Sequence, residues 1–116
     1  MAGMNRYGVL RRFPLGVIVG ISPFNFPLNL VAHKVAPAIA SGNAFILKPA
    51  TQASLTSLRL ARIIEASGFP IEAFSVLPCS NALAGQLVKD ERIKMFSFTG
   101  SPAVGWSLKS TAIAPS

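Results

Sequence analysis

The chain has 116 residues, 51% of them hydrophobic and 13% charged, and its eleven Lys and Arg residues against four Asp and Glu give a formal net charge of +7. This length allows one domain at most, and one cysteine excludes an internal disulfide or a cysteine-rich metal site. The basic residues are scattered without interleaved aromatic rings, so we expect no nucleic-acid partner. A basic nucleic-acid binder stays open as a weaker alternative, which a steep loss of binding with added salt would reveal.

The first strand–helix unit is predicted between residues 16 and 42. Gly16–Ile21 is continuously apolar and rich in β-branched residues, which is typical of a strand buried on both faces of a parallel sheet. A helix is predicted from Pro27 or Leu28, and Pro37 should kink it or end its regular part. Gly42 suits the left-handed position that stops this helix. The predicted apolar stripe of the helix consists of Leu28, Val31, Val35 and Ile39.

A second unit follows directly. Ala44–Lys48 is a short apolar segment that predicts a strand, and a helix is predicted from about Gln52 to Ser67. Gly68 is expected to cap that helix at its C-terminus. The side chains predicted to line its buried face are Leu55, Leu58, Ala61 and Ile64.

The remaining chain repeats the alternation of strands and helices. Strands are predicted at Phe74–Leu77 and Lys94–Phe98, with a short helix near Ala82–Val88 and a last helix after the turn Thr99–Ser101. Strands that alternate with helices indicate right-handed crossovers and a parallel sheet. The predicted fold class is therefore α/β, an open parallel sheet with flanking helices.

Membrane insertion and export are not expected. No apolar run approaches the roughly twenty residues needed to span a bilayer. Arg11-Arg12 before an apolar segment is similar to the start of an export signal, but Pro14, Gly16 and Gly20 interrupt that segment. We therefore expect a cytoplasmic location.

Four motifs occur in one order along the chain. Pro23–Ala32 places an asparagine between two aromatic rings directly after the first strand, and Gly42–Ala44, Leu47–Ala50 and Phe96–Ser101 follow. In these motifs, from about Arg12 to Leu108, the chain resembles the aldehyde dehydrogenase superfamily. The resemblance implies that residues 1–116 are part of a Rossmann-like NAD(P)-binding domain. It further implies an oxidoreductase that converts an aldehyde substrate to a carboxylic acid with NAD or NADP, and a homo-oligomer.

Asn25 is the candidate catalytic residue. The resemblance implies that its side-chain amide helps bind the oxygen of the thiohemiacetal formed from the aldehyde, and an amide donor aimed at an oxyanion lowers a barrier by several kcal/mol. The alternative is a turn asparagine that bonds its own backbone. The resemblance also places the neighbouring Ser22, Pro23 and Phe24 in the cofactor site.

Lys48 and Thr51 are candidates for the adenosine side of the cofactor. The resemblance implies that Lys48 donates to the ribose hydroxyls, whereas a structural lysine would extend to solvent. Thr51 stands where NAD-preferring members of the family often carry a glutamate. Without that carboxylate no negative charge repels a 2′-phosphate, so NADP becomes an acceptable cofactor. Thr51 can also serve as a helix cap, and both roles can hold together.

Three further residues are assigned to the cofactor. Gly100 and Ser101 precede a helix, whose free N–H groups attract a phosphate, and the resemblance places them at the pyrophosphate. Gly85 is expected to allow a close approach near the adenine. The fingerprint G-x-G-x-x-G is missing, as it generally is in this family.

The nucleophilic cysteine and the glutamate base of the family have no counterpart here, because both are expected beyond Ser116. Cys79 stands where the family usually has glycine, so we interpret it as a loop residue. The 116-residue chain alone is therefore predicted to be inactive, and residues 111–116 are predicted to be an atypical tail. The alternative function is a non-catalytic nucleotide-binding or interaction module.

Overall fold

The computed structural model describes residues 5–112, which form one parallel sheet flanked by helices. The strands are β1 (Val17–Ile21), β2 (Ala44–Lys48), β3 (Phe74–Val76) and β4 (Ile93–Phe98). The helices are α1 (Asn29–Ala40), α2 (Ser54–Ala66), α3 (Asn81–Val88) and α4 (Pro102–Thr111), with short 3-10 turns at Thr51–Ala53 and Ile71–Ala73. The predicted α/β class with an open parallel sheet is confirmed.

The strand order is β3-β2-β1-β4, so the chain winds outward from β1 to β3 and then returns to the other side of β1. β1 pairs with β2 from Val17↔Ala44 to Ile21↔Lys48, and with β4 up to Ile21↔Phe98. The direction of winding therefore reverses between β1 and β4. Open α/β sheets bind ligands in the crevice at the carboxyl ends of the strands beside such a switch point.

The two faces of the sheet carry separate apolar clusters, because successive side chains of β1 point to opposite sides. Ile18 packs with side chains of α1 and α2, and Val19 packs with Ala84 of α3 and Leu108 of α4. The sheet is thus covered on both faces. The buried residues on the α1 and α2 side are Ile18, Val31, Val35, Ala38, Phe45, Leu47 and Phe74.

The predicted phase of α1 is partly wrong. The helix begins at Asn29 rather than at Pro27 or Leu28, and Leu28 is 52% exposed. Its buried residues are Val31, Val35 and Ala38, and it continues through Pro37 to Ala40. Pro37 is exposed, so its ring lies on the solvent side of the helix. Gly42 has φ +75°, which confirms the predicted left-handed stop.

The buried face of α2 also differs from the prediction. Leu55 and Leu58, which were predicted to be buried, are both exposed. Ser57 is buried instead, and Leu60 packs on the core. Ala53 of the preceding 3-10 turn is also buried, and it lies four residues before Ser57, at the spacing that places both on one helix face. Ala61 and Ile64 pack on the core as predicted.

Within residues 5–112, no helix is long and apolar enough to cross a bilayer. Thr111 is the last residue of α4, and residues 113–116 of the predicted tail lie outside the described residues.

Candidate functional site

Backbone hydrogen bonds hold the four strand ends together at the carboxyl edge of the sheet. Ser22 N donates to Lys48 O at 3.3 Å, and Thr99 N donates to Ile21 O at 3.1 Å. On the other side, Leu77 N donates to Leu47 O at 2.8 Å. The segments that carry the predicted site residues therefore start from one edge of the sheet, as expected for parallel strands.

The loop from Ser22 to Leu28 carries Asn25 between two exposed aromatic rings. Ser22 is buried and Pro23 is half-buried, whereas Phe24, Asn25 and Phe26 are exposed. Phe26 has φ +49°, a left-handed conformation that is uncommon for a bulky residue, and its carbonyl accepts from Leu30 N at 3.0 Å. Asn25 makes no side-chain hydrogen bond within residues 5–112, so the alternative of an amide bonded to its own turn is not observed.

Lys48 ends β2 and is 5% exposed, so its side chain does not extend to solvent. The alternative of a structural lysine that extends to solvent is therefore not observed. Its Nζ donates to Asn81 Oδ1 at 2.9 Å. The sequence interpretation missed Asn81, because it began α3 at Ala82 and left Asn81 in a loop. The pair Ser80-Asn81 was the available signal, since serine is a preferred N-cap.

Thr51 lies in the 3-10 turn and is exposed. The cap position of that turn is Ala50, and that of α2 is Ala53, with no capping hydrogen bond from a side chain at either. The predicted helix cap by Thr51 is therefore not present. Its hydroxyl remains available at the edge where β2 ends.

Gly85 and Gly100 have different surroundings. A Cβ built on Gly85 would have nothing within 4 Å, so the space above this residue is open. A Cβ on Gly100 would lie 2.5 Å from Phe98 Cζ, and one on Gly105 would lie 3.1 Å from Phe98 Cε1. Gly100 thus has a packing role, because it makes room for the Phe98 ring at the start of α4.

The N-terminus of α4 borders an open cavity of about 430 Å³. Ser101 is the N-cap, and its Oγ accepts a long hydrogen bond of 3.5 Å from Val104 N. The lining includes Thr99, Gly100, Trp106 and Lys109, and Lys109 Nζ lies 5.0 Å from the centre of the Trp106 ring. The cavity therefore presents a helix N-terminus and one cation together.

Lys34 was not singled out from the sequence, although it lies three residues after buried Val31. Its Nζ donates to Thr99 Oγ1 at 2.6 Å and to Ser97 Oγ at 3.3 Å. Partial burial lowers the pKa of this ammonium, because desolvation disfavours the charged form. α1 is thus joined through Lys34 to the turn after β4.

Cys79 is a free, half-buried cysteine that follows β3. β3 is separated from β1 by β2, so the ends of β1 and β3 are about 10 Å apart at the usual strand spacing. Cys79 therefore follows a strand that does not pair with β1, the strand before the Asn25 loop. Within residues 5–112, no group of His, Cys, Asp and Glu side chains is suited to hold a metal ion.

Comparisons with known proteins give one consistent result. The sequence model described as "Aldehyde dehydrogenase family" matches residues 1–115. The chain is 42% identical over 109 residues to a 3-sulfolactaldehyde dehydrogenase of Priestia aryabhattai. The aligned region covers 93% of this chain and 23% of that protein.

Solved structures of larger enzymes share the fold. An NADP-dependent glyceraldehyde-3-phosphate dehydrogenase from Bacillus halodurans, complexed with NADP, has 38% identity and a TM-score of 0.85 over 88% of this chain and 22% of its own. An NAD-dependent benzaldehyde dehydrogenase from Corynebacterium glutamicum has 39% identity and a TM-score of 0.82, and the match covers 86% of this chain and 22% of that enzyme. The chain spans less than a quarter of the length of these relatives. Motifs, topology and comparisons agree, and the chain belongs to the aldehyde dehydrogenase family.

Proposed function

We propose that this chain supplies cofactor-binding residues and an oxyanion donor to an enzyme that oxidises aldehydes to carboxylic acids with NAD or NADP. The observation that carries the proposal is the convergence of the Asn25 loop, Lys48 and the Thr99–Ser101 turn on the carboxyl edge of one parallel sheet. Ligands of open α/β sheets bind at this edge. The relatives are enzymes named for aldehyde substrates, which supports the same reaction class here.

Asn25 is the proposed oxyanion donor. Its amide is exposed in the loop that follows β1 and makes no hydrogen bond within the described residues, so it is available to a substrate. The left-handed Phe26 and its hydrogen bond to Leu30 fix the loop on one side. A donor held in place before reaction stabilises developing negative charge without reorganisation cost.

Bound NAD or NADP would supply the hydride acceptor for the oxidation. The residues present fit such a ligand, because Lys48 brings a buried ammonium with a neutral partner and Gly85 leaves an open surface. We assign Lys48, Thr51 and Gly85 to the adenosine side. Gly100 and Ser101 are assigned to the phosphates at the start of α4, with Ser22, Pro23 and Phe24 along the β1 loop.

We also propose a homo-oligomer located in the cytoplasm. Large apolar side chains are exposed in the described part, and exposed apolar patches favour association. The most exposed are Tyr7, Leu10 and Leu55, at 94%, 83% and 76%. Sedimentation of the full-length protein at several concentrations tests the oligomer, and a monomer throughout would contradict it.

The reaction is tested with the full-length protein and the variants Asn25→Ala and Asn29→Ala. Loss of one oxyanion donor should lower kcat by about 10²–10³-fold. Asn29 is the exposed first residue of α1, so its variant serves as a control with the same side-chain change and should keep the activity. Equal activity of Asn25→Ala and wild type would contradict the oxyanion role.

The alternative is a non-catalytic nucleotide-binding or interaction module. It is supported by the position of Cys79, which follows β3, a strand that β2 separates from β1 and the loop of Asn25. The 116-residue chain, given NAD or NADP and a panel of aldehydes, should therefore produce no NAD(P)H. Turnover that disappears in Cys79→Ser would overturn this expectation.

The proposed cofactor preference is NADP at least as readily as NAD. Thr51 offers a hydroxyl donor where a carboxylate would repel a 2′-phosphate, and one charge-assisted hydrogen bond is worth about tenfold in affinity. Titration of both cofactors against wild type and Thr51→Glu tests this. An unchanged NADP-to-NAD affinity ratio in Thr51→Glu would contradict the role of Thr51.

A further inference from the structure

Asn81 and Lys48 lie 33 residues apart in sequence and are brought together by the pairing of β2 with β3. Leu77 N donates to Leu47 O directly beyond the paired strands, so the chain leaves β3 beside the residue that precedes Lys48. Ser80 then caps α3, its Oγ accepting from Leu83 N at 3.4 Å. Asn81 is the first residue of α3 and faces Lys48 as a result of this topology.

The contact leaves the positive charge of Lys48 without a negative partner among the described residues. Within residues 5–112 the one ion pair joins Arg92 and Asp90, and the Lys48 ammonium bonds instead to the neutral Asn81 amide. A buried charge is costly unless it is paired. The positive end of α3 lies at the same place and adds to the potential. An anionic ligand is the complement of this arrangement.

We propose that Asn81 is a positioning and specificity-determining residue that holds the Lys48 ammonium for the 2′-phosphate of NADP. The inference rests on the proposed cofactor function and deepens it. Asn81 accepts one of the three Lys48 donors and leaves two for the ligand. Because its side chain is neutral, it orients Lys48 without cancelling its charge.

The identity of residue 81 then decides which ribose is accepted. An aspartate at this place would hold Lys48 in nearly the same geometry and would pair with its charge. A 2′-phosphate would meet a neutralised lysine and a nearby carboxylate, whereas a ribose with a free 2′-hydroxyl would still find a donor. Asn81 is thus expected to act on the ratio of the two affinities rather than on binding as a whole.

The test compares Asn81→Asp with Gln86→Glu in the full-length protein. Both variants change an amide to a carboxylate on exposed positions of α3, but Gln86 lies five residues further along the helix and makes no hydrogen bond to Lys48 within residues 5–112. An acidic residue in the first turn of a helix is favourable, so Asn81→Asp should fold. Affinities for NADP and NAD are measured by calorimetry, and thermal unfolding is followed in parallel.

Asn81→Asp should lower the NADP-to-NAD affinity ratio by about tenfold or more, the usual effect of one charge-assisted contact. Gln86→Glu should change the ratio less than twofold, about the effect of an exposed and screened charge. Asn81→Ala, which frees Lys48 but keeps its charge, should weaken both cofactors by similar factors. A merely structural Asn81 would change the unfolding temperature and leave the ratio as it is.

Each outcome decides between the inference and the function on which it rests. If wild type binds both cofactors and Asn81→Asp leaves their ratio unchanged, the specificity role is overturned while the proposed function stands. If Gln86→Glu lowers the ratio as much as Asn81→Asp does, the effect comes from general charge and the inference is also overturned. If wild type binds neither cofactor, the proposed function itself fails.

Discussion

Lys34 Nζ donates to Thr99 Oγ1 at 2.6 Å, and this contact joins α1 to the turn after β4 across the end of the sheet. The same ammonium donates to Ser97 Oγ at 3.3 Å. Both acceptors are neutral, so the lysine acts here as a hydrogen-bond donor rather than as half of an ion pair. One side chain thus ties α1 to the end of β4 and to the turn that follows it.

A double-mutant cycle measures this contact. Lys34→Met and Thr99→Val should each lower the free energy of unfolding, and the coupling between them should be about 1 kcal/mol, typical of a partly exposed hydrogen bond. Urea denaturation of the four proteins gives the coupling. Strict additivity of the two single variants would show that the contact contributes nothing.

Gly20→Ala should destabilise the sheet. A Cβ at Gly20 would meet Phe45 Cζ and would lie 2.8 Å from Phe45 Cε1, and Phe45 is buried in the core. Overpacking of this kind costs about 1–3 kcal/mol. Phe45→Leu in the same chain makes room, so the double variant should lose less stability than the sum of the single ones. Full additivity in chemical denaturation would contradict the clash.

Gly85→Ala should raise stability and weaken cofactor binding at once. Gly85 lies inside α3 with nothing within 4 Å of an added Cβ, so alanine should gain about 0.5–1 kcal/mol. The same methyl group would obstruct a ligand that approaches the backbone. Cofactor titration and thermal unfolding are measured together. Unchanged affinity in the stabilised variant would remove Gly85 from the cofactor site.

Gly68→Ala is the matched control for this change. Its surroundings are equally open, but its φ is +83°, which alanine adopts only with strain. This variant should therefore lose stability and keep its affinity for the cofactor.

Acid should weaken the fold in part through Asp90. The Arg92 side chain donates to this carboxyl and lowers its pKa from 3.8 to about 2. A lowered folded-state pKa contributes stability above pH 4 that is lost as the pH falls toward 2. Asp90→Asn should therefore lose less stability between pH 4 and pH 2 than wild type does, as measured by urea denaturation at each pH. An identical pH dependence would show that the pair does not contribute.

The sequence predicted the fold well where the pattern was strong. The bounds of β2 were predicted exactly as the structure has them, and those of β1 and β4 within one residue, because buried parallel strands are short continuous apolar runs. The left-handed glycines at Gly42 and Gly68 were also predicted, since a helix stop of this kind needs a residue without a Cβ.

Helix phase and side-chain contacts were harder to predict. Leu55 and Leu58 satisfied the helical spacing, but the buried face runs through Ser57 and is in line with the buried Ala53 of the 3-10 turn. The apolar spacing within α2 gives no information about residues of the turn that precedes the helix. The contacts of Lys34 and Asn81 were not predicted, because their partners, Thr99 and Lys48, are far away in the sequence. Such pairings follow from the order of the strands in the sheet rather than from local sequence.

The strand order also determines when the crevice can form during folding. β1 lies between β2, which begins at Ala44, and β4, which begins at Ile93, so its second neighbour comes from far along the chain. Pairings that close long loops form more slowly than local ones. On a growing polypeptide, the first three strands can dock while the crevice between β1 and β4 is still open. The pairing of β1 with β4 is therefore expected after that of β1 with β2, and a cofactor that binds in this crevice selects chains in which β4 is already in place.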